Sequence, residues 1–326
     1  MNTRISNVKI TVLDGFTLNP GDNPWDGVAA LGDFKVYDGT PADQILERAN
    51  GSDVLLTNKT LITADTIAKL PNLKFIAVLA TGYNVVDIDA ARERGIPVSN
   101  VPIYGTDTVS QYVFALVLEH CHNVAHHAAR VLDGEWERRG EFCFWDYPLT
   151  ELANLTMGIV GFGRIGRRTG ELAHAFGMNV IASDVFQGSA PEYEPFSWRS
   201  IEETFSEADV VSLHCPQTPD NEAFVNKDLL NRMKRSALFI NTARGGLVNE
   251  QDLADALNNG VLAGAAVDVV SKEPVEKSNP LFGAKNLFLT PHMAWGTLSA
   301  RKRLMGTTVE NVQGFMNGKP VNVVNG

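Results

Sequence analysis

Cysteine is scarce in this sequence, and nothing pairs it. Cys121, Cys143 and Cys215 are the three in 326 residues. An odd number, widely spaced and without a C-x-x-C, gives neither a disulfide framework nor a zinc site, and points to reduced thiols in a cytoplasmic protein. Long apolar runs are missing too. No stretch approaches the roughly 20 residues that a membrane helix needs. The opening Met1-Asn-Thr-Arg-Ile-Ser6 lacks the apolar segment of a signal peptide. Basic residues are outnumbered, 28 Lys and Arg against 38 Asp and Glu, for a net charge of −10. That balance argues against nucleic acid or an anionic membrane as the main partner. Low-complexity segments and short repeats are also lacking. The remainder is globular in character, 44% hydrophobic and 20% charged. The length suits two domains of ordinary size.

What is there is organised around Met157-Gly-Ile-Val-Gly-Phe-Gly-Arg-Ile-Gly166. A short apolar run meets glycines spaced G-x-G-x-x-G at Gly161, Gly163 and Gly166. A helical stretch and a second apolar run, Asn179 to Ala182, follow, and that run ends in Asp184. The first glycine permits a tight turn out of the strand, the second a close approach to a pyrophosphate, and the third close packing of helix on strand. An acid about 20 residues further on accepts hydrogen bonds from an adenosine ribose. The glycines alone would be weak evidence. With strand, helix, second strand and terminal acid all in place, they point to dinucleotide binding. Val185 and Phe186 after the acid offer no cation for a 2′-phosphate, so NAD is expected rather than NADP.

The first hundred residues alternate strands (Val8 to Leu13, Phe34 to Tyr37, Val54 to Thr57, Phe75 to Leu79, Pro97 to Asn100) with helical stretches such as Pro41 to Ala49 and Ala64 to Lys69. That alternation implies a parallel sheet covered on both faces. Its fourth strand leads into Ala80-Thr-Gly-Tyr-Asn84, a loop able to turn backbone N–H groups toward an anion or to serve as an ordinary turn. Thr106 to Ala129 has the periodicity of one long helix, with Thr106 or Asp107 as its cap. His120, His122, His126 and His127 cluster near its end, where solvated or interface histidines are favoured over a metal site. Gly134 to Tyr147 carries Trp136, Phe142, Phe144 and Trp145, an arm suited to a subunit interface or to its own domain.

From Met157 on, six strands can be counted: Met157 to Val160, Asn179 to Ala182, Val210 to His214, Leu238 to Asn241, Ala265 to Val270 and Leu287 to Thr290. Asn249 with Asp252 marks a helix start, and Asn259-Gly260 a helix stop. This is the pattern of a doubly wound sheet, whose ligand crevice lies at the carboxyl ends of its strands. Asp268 sits in the fifth of these strands, with Glu273 just beyond it, and Arg244 and His292 follow the fourth and sixth. A histidine titrates near neutral pH and can trade a proton with an alcohol or carbonyl oxygen. A carboxylate on its other ring nitrogen, for which Glu273 is the candidate, would fix its tautomer. An arginine can hold a carboxylate or polarise a carbonyl. Each has an ordinary alternative: a strand-end cap for Arg244, a packed histidine for His292, a solvated loop acid for Glu273.

The motifs Gly161-Phe-Gly-Arg-Ile-Gly166, Phe239-Ile-Asn-Thr-Ala-Arg-Gly-Gly246, Ala266-Val-Asp-Val-Val270 with Glu273-Pro274, and Thr290-Pro-His-Met-Ala-Trp295 stand in the order and at the spacing of one family. The chain resembles the D-isomer-specific 2-hydroxyacid dehydrogenases over essentially its whole length, with Trp295 and the Ala80–Asn84 loop closest to the glycerate dehydrogenase (hydroxypyruvate reductase) branch. The resemblance implies an α/β fold of two doubly wound parallel-sheet domains. A Rossmann NAD domain, 104–296, would be inserted into a flavodoxin-like substrate domain, 1–103 with 297–326. It implies Arg244, Glu273 and His292 as catalytic residues, and Thr81 and Gly82 as substrate contacts beside Arg244 and His292. It implies cofactor contacts at Thr108, Gly161, Gly163, Arg164, Ile165, Gly166, Asp184, Cys215, Ala243 and Asp268, with no metal. It further implies a homodimer acting on a small 2-oxoacid or 2-hydroxyacid. Hydroxypyruvate and D-glycerate rank first, with D-lactate or 3-phosphoglycerate as alternatives and an NADH-sensing, corepressor-like binding protein as the alternative of another class.

Overall fold

A computed structural model describes residues 8–326; the expectation about Met1–Ser6 lies outside the described residues. The chain divides into two compact units. One runs up to Gly105 and resumes at Trp295–Gly326; the other is Thr106–Ala294.

Among the described residues the first unit holds five parallel strands: β1 (Lys9–Val12), β2 (Asp33–Val36), β3 (Val54–Thr57), β4 (Phe75–Val78) and β5 (Val98–Ser99), in the order β2-β1-β3-β4-β5. That is the flavodoxin-like strand order. Central strands of a parallel sheet are covered on both faces, so they read as unbroken apolar runs. Val-Leu-Leu-Thr of β3 and Phe-Ile-Ala-Val of β4 are buried at every position. The helix Leu298–Met316 belongs to this unit. Thr297 caps it by accepting from the Ala300 N–H, and Asn317 follows its end. Its Phe315 ring stacks on Phe75 at 4.7 Å between centroids.

The second unit holds β6 (Thr156–Val160), β7 (Asn179–Ser183), β8 (Phe196–Trp198), β9 (Val210–Leu213), β10 (Leu238–Asn241), β11 (Gly264–Val267) and β12 (Leu287–Leu289). All are parallel, in the order β12-β11-β10-β9-β6-β7-β8. Counted from β6 this is the dinucleotide-binding order 3-2-1-4-5-6, with a further strand at one edge. The sheet therefore has seven strands where six were expected. The strand missing from the expected six is β8, a three-residue strand at the edge opposite β12. Phe196 and Trp198 within it pack on Phe162, at 5.1 and 5.5 Å, an aromatic cluster too short to show strand periodicity. Asp268 lies just past the end of β11 rather than inside a longer strand.

The expected single helix from Thr106 is two. Thr106–His122 ends before Asn123, which takes a left-handed conformation (φ 48°), and Val124–Leu132 follows. Asparagine tolerates that conformation better than most residues, and no proline or glycine marks the break. Asp107 accepts from Arg168 Nε at 2.9 Å. The start and stop signals around Asn249 hold: the helix is Glu250–Asn258, Asn249 accepts from the Asp252 N–H, and Gly260 has φ +64°.

The histidines beyond the break serve local packing. His127 Nε2 accepts from the Asp146 N–H at 3.0 Å, so the ring's Nδ1 carries the proton and donates to the Asn123 carbonyl at 2.9 Å. His126 Nε2 lies 2.9 Å from Asp146 Oδ2. Arg130 and Arg139 also hold Asp146, at 3.1 and 2.6 Å. These partners keep the Asp146 carboxyl far below the usual carboxylate range, at about 2, the His126 hydrogen bond being the largest cause. Asp146 thus pins the aromatic arm to the helix Val124–Leu132. That helix has no buried residue, and Leu132 at its end and Phe142 in the arm are almost fully exposed.

Candidate active site

The glycine loop leaves β6 at the point where the strand order reverses, between β6 and β9. Gly161 has φ +93°, and a Cβ there would lie 2.5 Å from the Cys215 nitrogen. Only glycine allows both the turn and the approach to the loop after β9. A Cβ on Gly166 would lie 2.1 Å from the Gly161 carbonyl oxygen, so helix and loop are in backbone contact. At Gly163 the opposite holds: a Cβ would meet nothing within 4 Å. The loop is thus tight at its first and third glycines and open at its second, the shape a pyrophosphate needs. Arg164 and Ile165 open the helix Arg164–Ala175 there, where N–H groups lacking intrahelical partners attract phosphate.

Asp184 closes this half. Its Oδ2 accepts from the Phe162 N–H at 2.6 Å and its Oδ1 from the Phe186 N–H at 2.9 Å. The acid therefore also braces the glycine loop, with lone pairs left for a ribose hydroxyl. Cys215 is partly buried, and burial pushes its thiol up to about 11. It is a packing surface, not a nucleophile. Thr108 is buried in the first helical turns of Thr106–His122.

The other half is built at the ends of β10, β11 and β12. Asn241, the last residue of β10, closes a small turn: its Oδ1 accepts from the Ala243 N–H at 3.0 Å and its Nδ2 donates to the Arg244 carbonyl at 2.9 Å. Arg244 leaves that turn extended (φ −145°) and exposed, with Nη1 donating to the Ala243 carbonyl at 2.7 Å. Next to it, Gly245 lets the turn press on the backbone of Val270 and Ser271, where a Cβ would lie 1.9 Å from the Val270 carbonyl carbon. Arg244 and Glu273 are thereby carried on two loops in direct backbone contact.

His292 Nδ1 lies 2.7 Å from Glu273 Oε2. The pair is partly exposed, the His292 side chain 27% and the Glu273 side chain 31%, so one edge of the imidazole faces outward. His292 takes φ +51°, a left-handed conformation in which histidine is enriched over other side chains. The hydrogen bonds around it explain how that conformation persists. The His292 N–H donates to the Asp268 carbonyl at 2.7 Å, the Met293 N–H to Asp268 Oδ1 at 2.9 Å and the Ala294 N–H to Asp268 Oδ2 at 2.7 Å. Asp268 is 1% exposed. Three consecutive amides of the histidine loop converge on this one buried residue, which adds a role in holding the loop to its expected cofactor contact.

The structure thus brings Arg244, Asp268, Glu273 and His292 to neighbouring strand ends of one sheet, and the three glycines with Asp184 to another part of the same edge. Thr81 and Gly82 belong to the first unit, where the Thr81 hydroxyl donates to the Val101 carbonyl at 2.8 Å and the Thr81 carbonyl accepts from Asn100 Nδ2 at 2.7 Å. Sequence reasoning missed Asn241 and Gly245. Both sit inside a motif it singled out, and Asn at a strand end before a turn is a recognisable side-chain-to-backbone signal.

A dinucleotide loop and a histidine–carboxylate pair at the carboxyl edge of one sheet are the features of a nicotinamide-dependent dehydrogenase. Residues 114–294 match the model described as the D-isomer specific 2-hydroxyacid dehydrogenase, NAD binding domain. The chain belongs to the D-isomer specific 2-hydroxyacid dehydrogenase family. It is 49% identical to a hydroxypyruvate reductase of Blautia hydrogenotrophica over 98% of this chain and 100% of that protein. It is 40% identical to a glycerate dehydrogenase of Methylorubrum extorquens over 90% and 92% of the two chains. Among solved structures it resembles a D-lactate dehydrogenase of Aquifex aeolicus complexed with NAD and lactic acid, at 25% identity and a TM-score of 0.81, covering 98% of this chain and 99% of that one.

Proposed function

We propose that this protein interconverts hydroxypyruvate and D-glycerate with NAD(H), using Arg244, Glu273 and His292. The carrying observation is the 2.7 Å pair of His292 Nδ1 and Glu273 Oε2 at the carboxyl edge of a sheet with a dinucleotide loop. The names of its relatives in Blautia and Methylorubrum favour hydroxypyruvate and glycerate over other 2-oxoacids.

The glycine loop, Arg164, Ile165 and Asp184, with Thr108, Cys215, Ala243 and Asp268, would hold NAD(H), which would supply or accept the hydride. The chain's own residues do the rest. With Nδ1 tied to a carboxylate, His292 exchanges its working proton at Nε2, giving it to the keto oxygen in reduction and taking it from the hydroxyl in oxidation. Glu273 fixes the ring's tautomer and steadies the imidazolium that forms on oxidation. Arg244 holds the substrate carboxylate and polarises the keto oxygen, its fork suited to two oxygens at once. Thr81 and Gly82 of the first unit are assigned to substrate binding as well. We further assign this second-unit surface of Leu132 and Phe142 to a homodimer, and the free cysteines to a cytoplasmic setting.

The test is NADH oxidation across hydroxypyruvate, glyoxylate, pyruvate, phenylpyruvate and phosphohydroxypyruvate. The highest kcat/KM falls on hydroxypyruvate; preference for phosphohydroxypyruvate or pyruvate overturns the substrate assignment. Light scattering on the same preparation gives twice the chain mass, and a monomer overturns the dimer.

A further inference from the structure

We propose that Thr290 is a positioning residue for the catalytic histidine, acting through Asp268. The proposal rests on the role of His292 given above. Thr290 follows β12 directly, two residues before His292. Its hydroxyl donates to Asp268 Oδ1 at 2.7 Å. Oδ1 is the oxygen that also accepts the Met293 N–H, while Oδ2 accepts the Ala294 N–H. A buried carboxylate holds its place and charge by the donors that surround it. Two of these donors are backbone amides, which every residue but proline would supply. The Thr290 hydroxyl is a donor that depends on residue type.

The order is Thr290 O–H to Asp268 Oδ1, and Asp268 to the amides of the histidine loop. Bonds in such a chain polarise and strengthen one another. The far end is the loop in which His292 keeps φ +51° and reaches Glu273. Loss of the inner link frees one carboxylate oxygen to rotate away from the Met293 amide. Displacements near 1 Å of a catalytic group cost on the order of 100-fold in rate.

Thr290→Val keeps the shape and removes the hydroxyl; Thr290→Ser keeps the hydroxyl and removes a methyl group. We expect the valine variant to lose about tenfold to 100-fold in kcat, with KM for NADH changed less than about threefold, and the serine variant to recover to within about threefold of the parent. A valine variant with more than half the parent kcat overturns the proposal. So does a serine variant as slow as the valine one, because the hydroxyl would then not be the operative group. Should Thr290→Val fail to fold, as judged by its thermal transition, Thr290→Ala decides: a several-fold loss of kcat at unchanged NADH affinity supports the role of the hydroxyl, and an unchanged kcat overturns it. These readouts hold for whichever 2-oxoacid the parent reduces. Loss of the His292 assignment itself would show separately, as turnover surviving in His292→Ala.

Discussion

Gly245 and Val270 are in backbone contact so close that a Cβ on the glycine would lie 1.9 Å from the valine carbonyl carbon. No side-chain rotation relieves a clash with backbone, so the two loops that carry Arg244 and Glu273 keep their spacing only while position 245 is glycine. Gly245→Ala is expected to lower kcat/KM by at least tenfold and to lower stability by about 1–3 kcal/mol, the usual range for overpacking. Steady-state kinetics and a thermal melt check both. An alanine variant with parental kinetics would show that the loops' contact does not set the site.

His292→Ala removes the proposed proton-exchanging group and leaves the glycine loop untouched. General acid–base groups contribute about 100- to 10,000-fold, so kcat should fall by that much while NADH, followed by its fluorescence, still binds. Glu273→Gln keeps a hydrogen-bonding partner without the charge and should fall less. Near-parental turnover in His292→Ala would remove the histidine from the mechanism.

His214 follows β9, with Nε2 2.9 Å from the Ser212 hydroxyl, and burial pushes its imidazole down to about 3. Its folded pKa is below the unfolded value near 6.5, so the folded protein stays neutral where the unfolded chain takes a proton. Its share of stability is therefore full above about pH 6.5 and is lost as pH falls toward 3. Over the first 1.5 units the loss is at most about 2 kcal/mol. Urea unfolding at pH 7 and pH 5 should show that loss in the parent and a smaller one in His214→Gln. Equal losses in the two proteins would assign the acid sensitivity to other groups.

Much of the site was legible because it rests on local chemistry. Glycines that must turn or be approached, an acid at a strand end and a histidine after a proline all announce themselves within ten residues or so. The helix at Glu250–Asn258 was legible for the same reason, since Asn249 and Gly260 are local punctuation. What escaped depends on contacts made at a distance. Nothing near Asp268 says that it will gather three amides from residues 292–294. Nothing near Gly245 says that Val270 will pass behind it. The break at Asn123 was hidden because the apolar periodicity continues past it and asparagine occurs inside helices as well. β8 was hidden by length, for three residues give no period.

The last described residues knit into the first unit. Val324 N–H donates to the Val98 carbonyl, Asn325 Oδ1 accepts from the Val98 N–H across 227 positions, and Arg92 Nε donates to the Asn325 carbonyl at 3.0 Å. During synthesis, β5 must wait for these partners. At 5–20 residues per second the delay is about 11–45 s, during which the ribosome makes the whole inserted unit. The nucleotide-binding sheet can therefore be finished while the edge of the earlier one stands unpaired. A nascent chain would expose β5 to other strands or to chaperones for that interval, and shortening the polypeptide at its far end should impair the part made first.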